Sequence, residues 1–258
     1  MNDLKFISID QKNIEQEHIC CAITEKKGEP CVSSKKAWMK QRFPEGLVFR
    51  RLDARGKVFI EYIPSEHAWL PMLAENYMHI NCLWVSGKYK GRGLSDQLLN
   101  QCIEDAKIGG KSGLTALSSV KKKPFLSDPG YLKHRGFLTA DTADPYFELL
   151  YLPFHEDAPV PVFKDCAKHG KTSEDGMVIY YNNQCPHTAK YVPLLQETAK
   201  LHGLPLTVHK IETTEQAQNA PAPFTAFSLF FRGLFVTNEI LSEKKFEKFI
   251  QDTVKPSL

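Results

Sequence analysis

The apolar run INCLWV (80–85) gives way to SGKYKGRG (86–93), and a stripe of Leu94, Leu98, Leu99, Cys102, Ile103 and Ala106 follows at once, ending at Gly109-Gly110. The hydrophobic period changes from two to 3.6 across that turn, so a strand runs through a glycine loop directly into an amphipathic helix. Gly91 and Gly93 tolerate positive φ and let a ligand approach the backbone, and the amides of residues 89–94 lie at the positive end of the helix dipole. Lys88, Lys90 and Arg92 interleave with the glycines and attract an anion such as phosphate. A solvated basic turn is the plainer alternative. Dinucleotide and P-loop readings both fit poorly, because Gly91-Arg92-Gly93 continues as Leu94-Ser95-Asp96 and no GxxxxGK[ST] occurs.

The rest of the chain parses around this unit. Strands are expected over 4–9, 47–53, 57–63, 78–85, 113–120 and 146–154, with helices over 13–23, 35–43 and 94–108 and a short one within PFLSDPGYLKHRGF (124–137). Pro, Gly and charge concentrate over 152–176, which predicts a domain at 1–154, a linker at 155–175 and a second domain at 176–258. There a strand (177–182), a helix (185–203) and a strand (204–212) read as a right-handed crossover, followed by a hairpin turning at Arg232-Gly233 and a helix capped by Ser242. The fold class is α/β with a mixed sheet.

A net charge of +3 over 258 residues makes neither nucleic acid nor a membrane the expected partner. Seven cysteines without a CxxC pair, no apolar leader and no bilayer-length apolar run suggest reduced thiols in the cytoplasm. His187 and His202 lack ligand-spaced partners, so no metal is expected.

Lys88-x-x-Gly91-x-Gly93 after a strand resembles the [Q/R]-x-x-G-x-[G/A] motif of the GNAT acetyltransferases, and YLKHRGF (131–137) is similar to the family's short helix ending in Gly-Phe. The resemblance covers about residues 1–154. The phrases FIEYIPSEHAW, INCLWVSGKYKGRG and FLSDP further resemble acetyltransferases carrying a YoaP-like C-terminal domain. It implies the acyl-CoA N-acyltransferase fold, acetyl-CoA as co-substrate and a small-molecule or peptide amine as acceptor. It also implies that backbone groups of Leu83, Trp84 and Val85 pair with pantetheine. The pyrophosphate would rest on Lys88, Tyr89, Lys90, Gly91, Arg92, Gly93, Leu94 and Ser95.

Glu61, alternating with Phe59, Ile60 and Ile63, is the expected base on a strand bordering the cleft, with Glu66 and His67 as alternatives. Tyr131 is the expected acid. The family usually places that tyrosine four residues before the glycine, where this chain has Leu132, so Ser127 or a water are alternative donors. Cys20, Cys21, Cys82, Cys102 and Cys166 read as small core residues, Trp38, Trp69 and Trp84 as packing, and Lys121 to Lys123 as a solvated turn.

VIYYNNQCPHTAKYVPLL resembles the start of a thioredoxin-like fold, with Cys185 at a helix N-terminus as a possible low-pKa reactive thiol and Thr188 where a resolving cysteine would be. Pro223 matches that fold's cis-proline. Two other readings follow: a CoA-binding sensor without turnover, and a thiol-dependent module centred on Cys185.

Overall fold

The computed structural model describes residues 4–19, 21–25 and 27–257. Strands β1 (Phe6–Ile9), β2 (Val48–Leu52), β3 (Val58–Pro64), β4 (Tyr77–Val85), β5 (Gly113–Ser119), β6 (Leu138–Ala143) and β7 (Phe147–Pro153) form one sheet in the order β1-β2-β3-β4-β5-β7-β6. Neighbours are antiparallel except β4 and β5, which run parallel. A parallel pair needs a crossover, and helix α2 (Leu94–Ile108) supplies it. Its buried face, Leu94, Leu98, Leu99, Cys102 and Ala106, packs with Ile60, Tyr62, Ile80 and Leu114 on one side of the sheet. Helix α1 (Cys31–Arg42) covers the other side, where Trp38 and Met39 meet Phe49, Phe59 and Ile63. A short helix, α3 (Pro129–His134), is capped by the Asp128 carboxylate, which accepts from the Tyr131 amide.

Three local expectations fail for identifiable reasons. Residues 13–19 and 21–23 form turns and bends instead of a helix, because Asp10 Oδ1 accepts from the amides of Lys12 and Asn13 while Asn13 Nδ2 donates to the Ser8 carbonyl. Helix α1 starts four residues ahead of Lys35, which turns Lys35 into a fully buried helix-interior residue. Strand β6 was not foreseen: it is a sheet edge, largely open to solvent, and lacks apolar alternation.

A second sheet contains β8 (Met177–Tyr181), β9 (Leu206–Lys210), β10 (Phe227–Phe231) and β11 (Leu234–Thr237) in the order β9-β8-β10-β11. Helix α4 (Pro186–Leu201) links β8 to the parallel β9, α5 (Thr214–Gln218) precedes β10, and α6 (Glu243–Phe249) follows β11. The capping box of α5, Thr213 with Gln216, is legible in TTEQ as a start signal that periodicity alone passes over. The cis-proline expectation does not hold: the cis X-Pro bond among the described residues is Asp144-Pro145, so Pro223 follows a trans peptide.

The two sheets share apolar packing. Ile211, Ala217 and Ala220 join the cluster of Trp69 and Phe163. Trp69 Nε1 donates to Thr214 Oγ1 at 3.0 Å, Tyr146 donates to Asn238 Oδ1 at 2.8 Å, and Lys190 pairs with Glu29 at 3.0 Å. Segment 155–175 is held at several points: Val162–Phe163 pair with Met72–Leu73, and Lys168 pairs with Asp141.

His79 on β4 is buried with its Nδ1 at 3.0 Å from Thr115 Oγ1, and burial pushes its pKa down from 6.5 to about 3. The unfolded chain takes up this proton near pH 6.5 and the folded one only near 3, so stability is complete above pH 6.5 and is lost as pH falls through that window. Between pH 7 and 4 this group is expected to cost about 3 kcal/mol. Urea unfolding of His79→Gln should show an acid limb shallower by that amount; identical pH slopes for both proteins would refute it.

Candidate active site

The β4–β5 ladder runs from Tyr77↔Gly113 to Ile80↔Ala116 and stops, although β4 stays paired with β3 out to Val85 and β5 with β7 out to Ser119. The two central strands therefore part after Ile80. At the same place the β3–β4 register slips between Glu61↔Cys82 and Tyr62↔Ile80, leaving Asn81 as the extra residue of a bulge. A bulge bends its strand, which accounts for the opening. The parted stretch carries Leu83, half-exposed Trp84 and Val85, with the Lys57 ammonium 4.9 Å from the Trp84 ring. The loop after β5 folds back onto the open edge: the Ser127 amide donates to the Leu117 carbonyl at 3.2 Å and Ser118 Oγ donates to the Ser127 carbonyl at 2.8 Å.

β4 ends in the glycine turn. Gly87–Tyr89 form a 3-10 turn that uses the amides of Tyr89 and Lys90, which donate to the carbonyls of Ser86 and Gly87. Gly93 is the N-cap of α2 with φ 70°, Gly91 has φ 72°, and no side chain caps the helix. A Cβ on either glycine would meet nothing within 4 Å, so the demand for glycine is conformational. The first helical amides, at Leu94, Ser95 and Asp96, thus have no partner within the helix, at the positive end of its dipole. Tyr89 and Leu94 bury their side chains in the core and can offer a ligand only backbone, whereas Lys88, Lys90, Gly91, Arg92 and Gly93 are exposed. This donor set fits a pyrophosphate.

Glu61 is 2% exposed and lies inside a polar cluster. One carboxylate oxygen accepts from Lys35 Nζ at 2.5 Å, the other from Asn81 Nδ2 at 3.0 Å, and Lys35 is 1% exposed. The Lys35 ammonium also lies 4.3 Å from the Trp38 ring. Sequence reasoning missed Lys35 and Asn81. A signal for Lys35 existed: it falls on the same helical stripe as Cys31, Trp38, Met39 and Arg42, all buried. Glu66 and His67 follow β3 at its other end, away from the opening, and Glu66 pairs with Lys111.

Tyr131 points toward α2. Its hydroxyl donates to Asp96 Oδ1 at 2.9 Å, and burial together with that carboxylate pushes the phenol well above its usual range. Leu132 is buried in the core under α2.

Cys185 caps α4, where burial pushes its thiol up to about 11, against the pull of a hydrogen bond from the His187 backbone. This runs against the expectation of a low-pKa thiolate: desolvation outweighs the helix terminus. Thr188 Oγ1 is bound to the carbonyls of Asn182 and Cys185. The charges of Lys35 and Glu61 are close enough to bear on Cys185, and Cys21 feels Cys82, Lys35 and Cys185. Helix α4 packs against α1, the helix that carries Lys35. His187 stacks edgewise on Phe125 at 6.4 Å, joining this turn to the loop after β5.

Cys102 is buried as expected, Cys166 is exposed and not a core residue, and Cys20 lies outside the described residues. Trp38 and Trp69 form a buried edge-to-face pair. Lys122 pairs with Asp128, and Lys123 lies over the Tyr146 ring. Among the described residues no His, Cys, Asp and Glu group is placed to hold a metal ion, and no helix is long and apolar enough to cross a membrane.

A mixed sheet whose central parallel strands part beside a glycine turn and an uncapped helix defines an acyl-CoA N-acyltransferase fold. Residues 14–122 match the acetyltransferase (GNAT) family model and residues 205–248 the YoaP-like model. A Bacillus subtilis (strain 168) protein described as uncharacterized N-acetyltransferase YoaP is 46% identical over 245 residues, covering 95% of this chain and 98% of that protein. The chain belongs to the GNAT acetyltransferase family. Solved structures similar to it include a GNAT family acetyltransferase from Brucella melitensis in complex with acetyl-CoA, at 14% identity, 62% and 93% coverage and TM-score 0.39. Another is the GNAT family N-acetyltransferase YhbS from Escherichia coli in complex with CoA, at 12% identity, 63% and 90% coverage and TM-score 0.42.

Proposed function

We propose that the protein transfers acetyl from acetyl-CoA to an amine by direct attack in a ternary complex, at the opening between β4 and β5. The pyrophosphate rests on the amides from Gly91 through Ser95, with Lys88, Lys90 and Arg92 supplying positive charge. Tyr89 and Lys90 contribute less backbone than the sequence motif suggested, since their amides are spent within the turn. Pantetheine runs along Leu83, Trp84 and Val85, so the thioester reaches the bulge. The amine nitrogen forms a bond to the acetyl carbon as the carbon–sulfur bond breaks; the amine gives one proton to water and the departing thiolate takes one up. Holding the two reactants side by side supplies much of the rate.

Glu61 was the expected base, but both of its oxygens are engaged, by Lys35 and by Asn81, so its carboxylate serves here as a fixed anion. Thiolate protonation falls to Ser127 or a water beside it, because Ser127 is tied to the open edge of β5 while Tyr131 is committed to Asp96.

The chain divides at 1–154 and 176–258 around the connector 155–175. The β-α-β-α-β-β-α order and the strand sequence β9-β8-β10-β11 support a thioredoxin-like reading of the second unit. Its α4 turn, with Cys185 and His187, walls the acceptor side. Among the described residues the cysteines stand outside disulfides, which suits a reducing cytoplasm.

The observation that carries this reading is the coincidence, at one end of β4, of the parted strands and the uncapped helix. Calorimetry with acetyl-CoA should give saturable binding, and thiol release against a panel of primary amines and peptides should depend on the amine. No heat with acetyl-CoA would overturn it.

A further inference from the structure

We infer that Asn81 takes hold of the acceptor amine, and that the buried Lys35–Glu61 pair positions it to do so. The inference rests on the acetyl-transfer reading above. Asn81 is the extra residue of the β4 bulge, one position past the last pair that β4 makes with β5. A carboxylate only accepts, so the Asn81 amide must turn Nδ2 toward Glu61, and its oxygen is forced the other way. That oxygen is buried and has no hydrogen-bond partner. Buried carbonyl oxygens are rarely left so, and one held where the two central strands part is an acceptor for a donor that enters between them.

The orientation is stiff. Glu61 cannot swing away, because Lys35 holds its second oxygen at 2.5 Å in a site with 1–2% exposure for both residues. Lys35 also cancels the Glu61 charge, so the cluster offers a neutral oxygen and no net negative charge. Such a point suits an uncharged primary or secondary amine over an ammonium ion: one N–H donates to Asn81 Oδ1 while the nitrogen lone pair faces the thioester carbon. Asn81 takes no proton. It fixes the direction of attack, which neither the glycine turn nor the strand backbone can do for a second substrate.

The test uses the full chain saturated with CoA and a panel of primary alkylamines and amino-acid amides as probes, with binding read by calorimetry and turnover by thiol release. Asn81→Leu and the smaller Asn81→Ala should each weaken amine binding at least tenfold, and lower kcat/KM for any amine turned over at least fiftyfold. Both should keep the acetyl-CoA Kd within threefold, which reports an intact fold. The double variant Lys35→Met/Glu61→Gln keeps an acceptor for Asn81 Nδ2. It should lower kcat/KM without moving the pH profile, since Glu61 orients Asn81 and takes no proton from the amine. Amine binding unchanged in both Asn81 variants, no amine binding to the CoA-saturated wild type, or loss of the acid limb of the pH profile in the double variant would each overturn the inference. Failure of acetyl-CoA to bind the wild type would instead remove the reading beneath it.

Discussion

Gly93→Val is expected to weaken acetyl-CoA binding at least ~30-fold, which corresponds to about 2 kcal/mol. Gly93 caps α2 at φ 70°, a region that a β-branched residue enters only at a cost of order 1–3 kcal/mol. The chain can relieve that strain only by swinging the turn, and the amides of Leu94, Ser95 and Asp96 swing with it. Lys88, Lys90 and Arg92 still supply charge, but mobile side chains do not replace a fixed row of amide donors at a helix terminus. The residue faces open space, so the substitution creates no clash with the core, and unfolding should shift by less than binding does. Calorimetry of wild type and variant, alongside urea melts of both, separates the two effects. An unchanged Kd would show that the phosphates lie elsewhere.

Lys35→Met is expected to destabilise the protein by about 3–5 kcal/mol, the usual consequence of stripping one partner from a fully buried ion pair. Methionine nearly fills the space of the lysine stem beside Trp38, so loss of packing contributes little. What remains is the Glu61 carboxylate, out of water with only Asn81 to bind it. Adding Glu61→Gln removes that charge while keeping an oxygen for Asn81, and should return most of the loss. Denaturant unfolding of the single and double variants measures both numbers. A single-variant loss below about 1 kcal/mol would mean that water reaches the pair, with the energetics of an exposed salt bridge.

Much of the fold was legible because its signals are local. The α2 stripe and its terminal Gly109-Gly110, the Arg232-Gly233 hairpin and the crossover around α4 each follow from residue spacing and backbone preference within one segment. The failures were local in appearance only. Residues 13–23 have helical spacing, but the Asp10 and Asn13 side chains bind backbone that a helix would need. Strand β6 forms because β7 offers it an edge, a fact absent from LTADTA itself. The site divides in the same way. The glycine turn was readable, and so was Cys185 at a helix start, whereas its protonation was not: the sequence contains the helix terminus but not the burial that overrides it.

The sequence by itself therefore determined where a phosphate could be held, since positive φ, helix periodicity and interleaved basic residues are properties of one continuous stretch. Tertiary structure alone decided what the second substrate would meet. Lys35 reaches Glu61 across 26 residues and Asn81 reaches it across 20, and the bulge that aims Asn81 exists only in the register between two strands. Backbone preferences act over a few residues, but the partner of a charge, and the water it has lost, are fixed by which distant segments pack together.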